Sequence, residues 1–342
     1  MPFSDYLLRV ASRENLTAED AFQAMSSILE GQATTVQIAA FLAALKTKGE
    51  TAEEVFGFAK AMRARAARVD PGPAAGPLVD TCGTGGDRSG TFNISTIAAF
   101  VVAGAGVRVA KHGNRSLSGA CGSADLMEAL GVRIDLTPEE MGRAIREAGI
   151  GFLYAPAIHT ATRHAQPARA ELKMRTVFNL LGPLTNPAGA TIQVVGAPSP
   201  WAAELMAEAL AKLGLERGFV VHGSDGLDEI TTSGYTTVLE IMHGAIAHRT
   251  VEPEDFGVPR AAPSDLKGGG AAVNADIARR ILAGERGPKR DIVVVNASAA
   301  LVAAGQAPDF RSGAEMAAEL IDSGAARRKL EALAALTPLR SA

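Results

Sequence analysis

The amino-acid sequence predicts an α/β protein: a small all-helical domain plus a larger α/β domain with a largely parallel central sheet. Three observations carry that expectation. Residues up to about Val69 show only helical patterning. The segment Pro71-Gly72-Pro73-Ala74-Ala75-Gly76-Pro77 cannot continue a helix and reads as a linker. From Leu78 onward, short β-branched runs alternate with helical stretches, as in strands joined by crossover helices.

Each element has its own warrant. Thr17-x-x-Asp20 and Thr51-x-x-Glu54 resemble capping boxes, and Gly31 and Gly49 stand where helices stop. Val36, Ile38, Ala39, Phe41, Leu42 and Leu45 repeat at helical spacing. The predicted strands are 78–80, 107–110, 152–154, 192–196, 218–221 and 292–295, with helices such as 137–148 and 201–213 between them. Thr236–Met242 and Ala245–Val251 flank His243-Gly244 and read as an antiparallel hairpin.

Bulk properties narrow the function. A chain of 342 residues, 47% hydrophobic, buries a substantial core. The net charge is −3 and there is no long basic block, so a nucleic-acid partner has no electrostatic support. Cys82 and Cys121 alone make no disulfide framework, which suits a reducing cytoplasm. The start, Met1-Pro2-Phe3-Ser4-Asp5-Tyr6, lacks signal-peptide character. The apolar stretch 97–109 is too short for a membrane span and is cut by Gly104 and Gly106, so no membrane partner is expected.

The chemistry concentrates in three segments. Asp80-Thr81-Cys82-Gly83-Thr84-Gly85-Gly86-Asp87 leads into Asn93-Ile94-Ser95-Thr96, which opens a long apolar helix. Glycines let backbone N–H groups approach an anion closely, and a helix N-terminus adds free N–H groups and partial positive charge. The pattern is that of a phosphate-holding loop, or of a plain glycine turn between strand and helix. No Gly-Lys-Ser/Thr follows, and Arg88 takes the third glycine position of a dinucleotide fingerprint, so neither of those loops is present. The second segment, Lys111-His112-Gly113-Asn114-Arg115-Ser116-Leu117-Ser118-Gly119, offers cations, an amide and hydroxyls after another strand. Ligands collect at the carboxyl ends of parallel strands, so two such loops suit a ligand with several phosphates. The third, Asp225-Gly226-Leu227-Asp228-Glu229, sets adjacent carboxylates in a glycine-containing loop: magnesium ligands or an exposed acidic turn.

These segments and Asn179-Leu180-Leu181-Gly182-Pro183-Leu184-Thr185-Asn186-Pro187 occur in one order. Together they resemble the anthranilate phosphoribosyltransferases, from about Leu7 to the final helix. The resemblance implies transfer of a phosphoribosyl group from 5-phosphoribosyl 1-pyrophosphate (PRPP) to the amine of anthranilate, with pyrophosphate leaving, in the second step of tryptophan biosynthesis. It implies that PRPP is held by Gly83, Gly85, Gly86, Asp87, Thr91, Asn93, Ile94, Ser95 and Thr96. The loop Lys111, His112, Gly113, Asn114, Arg115, Ser116, Leu117, Ser118 and Gly119 joins them, with Ser123. Anthranilate falls to Gly83, Asn114, His159 and Arg169. Two Mg²⁺ per subunit fall to Ser95, Asp228 and Glu229.

Lys111 supplies electrostatic stabilisation, and no residue is nominated as a general base, because the acceptor amine is neutral. Positioning and charge stabilisation carry the expected catalysis, with inversion at C1 of the ribose. The same resemblance divides the chain into a helical domain, 1–70, joined by a middle segment of about 165–187, and a PRPP-binding α/β domain, 71–342. It implies a cytoplasmic homodimer. Two departures stand out. Gly119-Ala120-Cys121 replaces a Ser-Lys-Ser-like run, and Thr160 and Thr162 stand where Pro and Met are usual. Pyrimidine nucleoside phosphorylases share this architecture, but the Asp228-Glu229 pair favours a pyrophosphate donor. A nucleic-acid-binding relative would need a basic face that the acidic balance does not provide.

Overall fold

The computed structural model describes residues 1–73, 76–87, 89–116 and 119–339. The first unit is four helices: α1 (Phe3–Ala11), α2 (Ala18–Leu29), α3 (Thr35–Lys48) and α4 (Ala52–Arg65). Local chemistry starts them. The Thr17 hydroxyl accepts from the Asp20 N–H at 3.1 Å, and Thr34/Gln37 and Thr51/Glu54 form reciprocal capping boxes. Glu54 is fully buried because it also accepts from the Leu16 N–H and from Lys48, each at 2.9 Å. Phe41 packs on Phe3 and edge-on to Phe58 to fill the bundle.

The second unit begins β1 (Leu78–Gly83), α5 (Ile94–Gly104), β2 (Arg108–Gly113), α6 (Ser123–Ala129), α7 (Pro138–Ala148) and β3 (Ile150–Tyr154). It continues α8 (Ala155–Ile158), α9 (Gln166–Leu172), α10 (Phe178–Leu181), β4 (Ile192–Gly196), α11 (Pro200–Lys212) and β5 (Arg217–Gly223). The hairpin β6 (Thr236–Met242) and β7 (Ala245–Val251) follows, then α12 (Ala271–Leu282), α13 (Pro288–Ala303), α14 (Phe310–Asp322) and α15 (Ala325–Leu336). The seven strands form one sheet in the order β3-β2-β1-β4-β5-β6-β7. The five strands from β3 to β5 are parallel, and β6 and β7 run antiparallel.

Two expectations need correction. The run 292–295 is not a strand. It lies inside α13, where Ile292 to Ala303 are all buried. A short β-branched run looks the same in a buried helix as in a buried strand, and Pro288 at the first turn marks the helix. The strands also outrun their predicted ends. β1 pairs through Gly83 and β2 through Gly113, so Lys111, His112 and Gly113 are strand residues rather than loop. Main-chain pairing depends little on side-chain polarity, so it extends past the apolar run.

The strand order places the site. β2 lies on one side of β1 and β4 on the other, which opens a crevice at the carboxyl ends of β1 and β4. Gly83 and Gly196 are the final paired residues there. A Cβ on Gly196 would collide with the Asp228 carbonyl oxygen, so this glycine lets the β5–β6 connection lie across the end of β4. Among the described residues, no helix is long and apolar enough to cross a membrane.

Candidate active site

The glycine loop is held from both sides. Gly85 and Gly86 have φ of 64° and 74°, a conformation that β-carbons disfavour. The Thr84 N–H donates to the Gly196 carbonyl at 3.0 Å. The Gly85 N–H donates to Asp228 Oδ2 at 2.7 Å, and Arg175 Nη1 donates to the Gly85 carbonyl at 2.6 Å. The start of α5 is capped by a distant residue: Glu229 Oε1 accepts from the Ser95 N–H at 3.1 Å. Asn93 sits at the N-cap position but makes no side-chain cap. Glycine loop, helix N-terminus and acid pair are thus one bonded unit.

The second loop rests on a buried polar stack. The Asp80 carboxylate, fully enclosed, accepts from the His112 N–H at 3.2 Å and from Asn186 Nδ2 at 2.8 Å. Asn186 also donates to the Ala110 carbonyl at 2.8 Å. His112 Nδ1 meets the Gly182 carbonyl at 3.1 Å and carries the proton, because a carbonyl only accepts. Its ring lies 5.2 Å from that of His159. Burial drives both imidazoles toward the neutral form, His112 down to about 3 and His159 to about 4. Lys111 is 3% exposed, and no carboxylate among the described residues lies within ion-pair distance of it.

Beyond β2, the Ser123 hydroxyl and the Asn114 backbone bond each other at 3.2 Å. Asp125 Oδ2 accepts from the Gly122 and Ser116 N–H groups at 2.8 and 3.3 Å. The Arg115 guanidinium is engaged by Glu128 and Asp125 and lies over the Tyr154 ring. Those carboxylates raise its pKa above the usual value.

These elements enclose a cavity of about 690 Å³ at the carboxyl ends of the strands. It is lined by Gly83, Gly85, Gly86, Asp87, Thr91, Asn93, Ile94, Ser95, Thr96, Lys111, His112, Gly113, Asn114, Arg115, Ser116, Gly119, Ser123, Arg169, Asp228 and Glu229. His159 does not line it; the ring sits behind His112, beside Met62 and Leu29. Leu117 and Ser118 lie outside the described residues. Sequence reasoning missed Arg175, Phe178 and the Gly268-Gly269 segment, which also form walls. The glycine run 268–270 was a usable signal; nothing local marked Arg175.

Charge in the cavity is divided. Burial, then the neighbouring Asp87 charge, pushes Asp228 up to about 7. Burial, then Asp228, pushes Glu229 up to about 8. Asp87 Oδ2 is buried without a hydrogen-bond partner among the described residues. Buried carboxyl oxygens beside the Ser95 hydroxyl fit a hard divalent cation. No group of three or more acidic, His or Cys side chains among the described residues makes a complete cage, so such an ion needs further oxygens from a ligand. Also lining the cavity, the Arg169 guanidinium stacks on Phe178 at 4.9 Å and has no carboxylate partner among the described residues. Burial lowers its pKa.

Comparison with known proteins agrees with this geometry. Residues 4–66 match the family described as "Glycosyl transferase family, helical bundle domain", and residues 75–327 the "Glycosyl transferase family, a/b domain". An anthranilate phosphoribosyltransferase of Solibacter usitatus is 62% identical over 334 residues, 98% of either chain. That of Desulfosudis oleivorans is 53% identical, again over 98% of each. The crystal structure of the Thermus thermophilus enzyme superposes with a TM-score of 0.92 at 46% identity, covering 97% of this chain and 99% of that one. The Saccharomyces cerevisiae enzyme in complex with PRPP and Mg superposes with a TM-score of 0.89 at 29% identity, covering 98% and 97%.

Proposed function

This chain belongs to the anthranilate phosphoribosyltransferases, and from that premise we propose how its residues divide the work. The reaction transfers the phosphoribosyl group of PRPP to the amine of anthranilate, giving N-(5-phosphoribosyl)anthranilate and pyrophosphate, the second step of tryptophan biosynthesis from chorismate. The observation that carries the division is the bonded unit of Gly85, Asp228, Glu229 and Ser95 in a cavity that Arg169 also lines.

PRPP lies along the glycine loop and the start of α5. The glycine loop, whose Thr84 and Gly85 N–H groups are held by Gly196 and Asp228, and the Lys111 ammonium face the pyrophosphate as it gains charge. Asn93, Thr91 and the loop carrying Asn114, Ser116 and Ser123 hold the 5-phosphate. Two Mg²⁺ per subunit would be held by Asp228, Glu229 and the Ser95 hydroxyl, with substrate oxygens completing their shells. When bound, they would neutralise charge on the leaving group. Support for magnesium is the buried acid cluster here, and the Mg in the yeast relative. Arg169 receives the anthranilate carboxylate, because its guanidinium is fixed on Phe178 and has no carboxylate partner among the described residues. His159 acts on the acceptor side only through His112, against whose ring it packs. No side chain serves as general base; the amine proton leaves after attack.

The helical domain comprises residues 1–70 with about 165–187, the rest of 71–342 being the PRPP-binding domain. α9 packs on α3 and α10 on α4, which supports that division, although the same apolar core also takes in Val195, Leu205 and Val220 of the α/β domain. We place the chain in the cytoplasm as a homodimer joined through the helical domain, on whose surface Leu8 on α1 and Val36 on α3 are exposed at 65% and 78%. Incubation with PRPP, Mg²⁺ and anthranilate tests the whole reading. Anthranilate fluorescence is expected to disappear in proportion to enzyme, and no loss at ample enzyme defeats it.

A further inference from the structure

We propose that Asn274, far along the chain and outside every segment that points to the reaction, is a positioning residue that sets the amide polarity of Asn93 for the PRPP phosphate. The proposal rests on the PRPP reading of the cavity. Asn274 lies in the first turns of α12 and is 1% exposed. Its Oδ1 accepts from the Gly269 N–H at 2.7 Å, and its Nδ2 donates to Asn93 Oδ1 at 3.0 Å. Asn93 Nδ2 in turn donates to the Cys121 carbonyl at 3.2 Å. The Cys121 thiol also points at Asn93 Oδ1, at 3.3 Å.

Both ends of this chain are main-chain groups whose polarity cannot change. The Gly269 N–H only donates, so the Asn274 atom facing it is oxygen. The other Asn274 atom is therefore NH₂, and the Asn93 atom facing that is oxygen. That leaves Asn93 NH₂ toward the Cys121 carbonyl, which only accepts. An amide has two N–H groups, and one goes to Cys121. The second remains to Asn93, which lines the cavity at the N-terminus of α5. A reversed Asn93 would point a lone pair at an anionic phosphate instead of an N–H. The residue also spans two walls. The strap before α12 is pinned to the glycine loop by the Gly268 N–H to Gly90 carbonyl bond at 3.0 Å, and Thr91 bridges Lys267. A Cβ on Gly268 would press on Asn274 Oδ1 and on Phe92, so the strap fits only at this distance.

The test is Asn274→Asp, which keeps shape and reverses one atom. An ionised Asp at this site still accepts from Gly269 but repels Asn93 Oδ1, so Asn93 turns over. A protonated Asp donates to Asn93 as Asn274 does. Relative to unaltered enzyme, the PRPP KM is expected to rise about tenfold or more near pH 9, the loss of one hydrogen bond to a charged group. The defect shrinks as pH falls, and the anthranilate KM changes less than about twofold. A structural role alone would raise both KM values together. Asn274→Ala removes the polarity control without reversing it and gives a smaller, pH-independent rise in PRPP KM; it carries the test if the Asp variant fails to fold. An unchanged PRPP KM in the variant that folds, or equal rises in both KM values, overturns the assignment. Inactivity of the unaltered enzyme with PRPP and anthranilate overturns the PRPP reading instead.

Discussion

Gly85 and Asp228, 143 positions apart, are joined by a 2.7 Å hydrogen bond from the Gly85 N–H to Oδ2 of Asp228. The acid thereby shapes the glycine loop, and both line the cavity. Burial makes the charged form costly, so Asp228 and Glu229 both titrate above the ordinary carboxylate range, at about 7 and about 8. The variant Asp228→Asn with Glu229→Gln keeps an acceptor for Gly85 and removes both charges. Turnover is expected to fall more than about a hundredfold with loss of Mg²⁺ stimulation, while the thermal midpoint stays level or rises. Kinetics across a magnesium titration, with a melting curve, check this. An unaltered magnesium dependence removes the pair from the metal site.

Arg175 braces the opposite side of the same glycine through the Gly85 carbonyl. Arg175→Ala releases that carbonyl and is expected to lower kcat/KM for PRPP about tenfold or more, the worth of one charge-assisted hydrogen bond. Arg175→Lys restores part of it. Steady-state kinetics at saturating anthranilate measure the change, and an unaffected kcat/KM refutes the brace.

Arg169 lies against Phe178 in the cavity wall. Arg169→Ala is expected to raise the anthranilate KM by about tenfold or more and to leave the PRPP KM nearly unchanged. Parallel increases in both would remove Arg169 from the acceptor site.

Gly196 admits no side chain where β4 meets the Asp228 carbonyl. Gly196→Ala is expected to cost about 1–3 kcal/mol of stability and to weaken magnesium use, since the strain falls on the acid-bearing segment. Urea unfolding gives the first and a metal titration the second. An undiminished urea midpoint contradicts the close approach.

The buried histidines predict acid sensitivity. Both titrate well below the ordinary 6.5, at about 3 for His112 and about 4 for His159. Below 6.5 these two side chains bind protons in the unfolded chain that they refuse in the folded one, so their contribution to stability falls as pH drops and is fully present only above that value. Each histidine removes up to about 1.4 kcal/mol per pH unit until its folded pKa is reached. Asp228 and Glu229, raised to about 7 and 8, act in the opposite direction over this range, so the check is a difference: between about pH 7 and pH 5 the urea midpoint of His159→Leu is expected to fall less, or rise more, than that of the unaltered protein. An identical acid slope in the variant would show that these rings carry none of it.

Much of the site was legible because its parts have local signatures. Gly83 to Asp87, Asn93 to Thr96 and Asp228-Glu229 each pair a glycine or hydroxyl cluster with an adjoining apolar element, and all of them line one cavity. Arg115 shows the limit of that logic. Its charge, read as facing the ligand, is taken up by Glu128 and Asp125 on the next helix. His159 was assigned by resemblance, and packing put it behind His112.

By itself the sequence determined the helical unit, the alternating strands and the three segments that carry the chemistry, because caps, periodicity and glycine loops depend on neighbours in the chain. Only the tertiary structure decided that 292–295 is helix, that Arg175 reaches Gly85 across 90 positions and that Asn274 reaches Asn93 across 181. Those outcomes are choices among distant partners, made by burial and by the need to pair every buried donor and acceptor, and no short window of residues contains them.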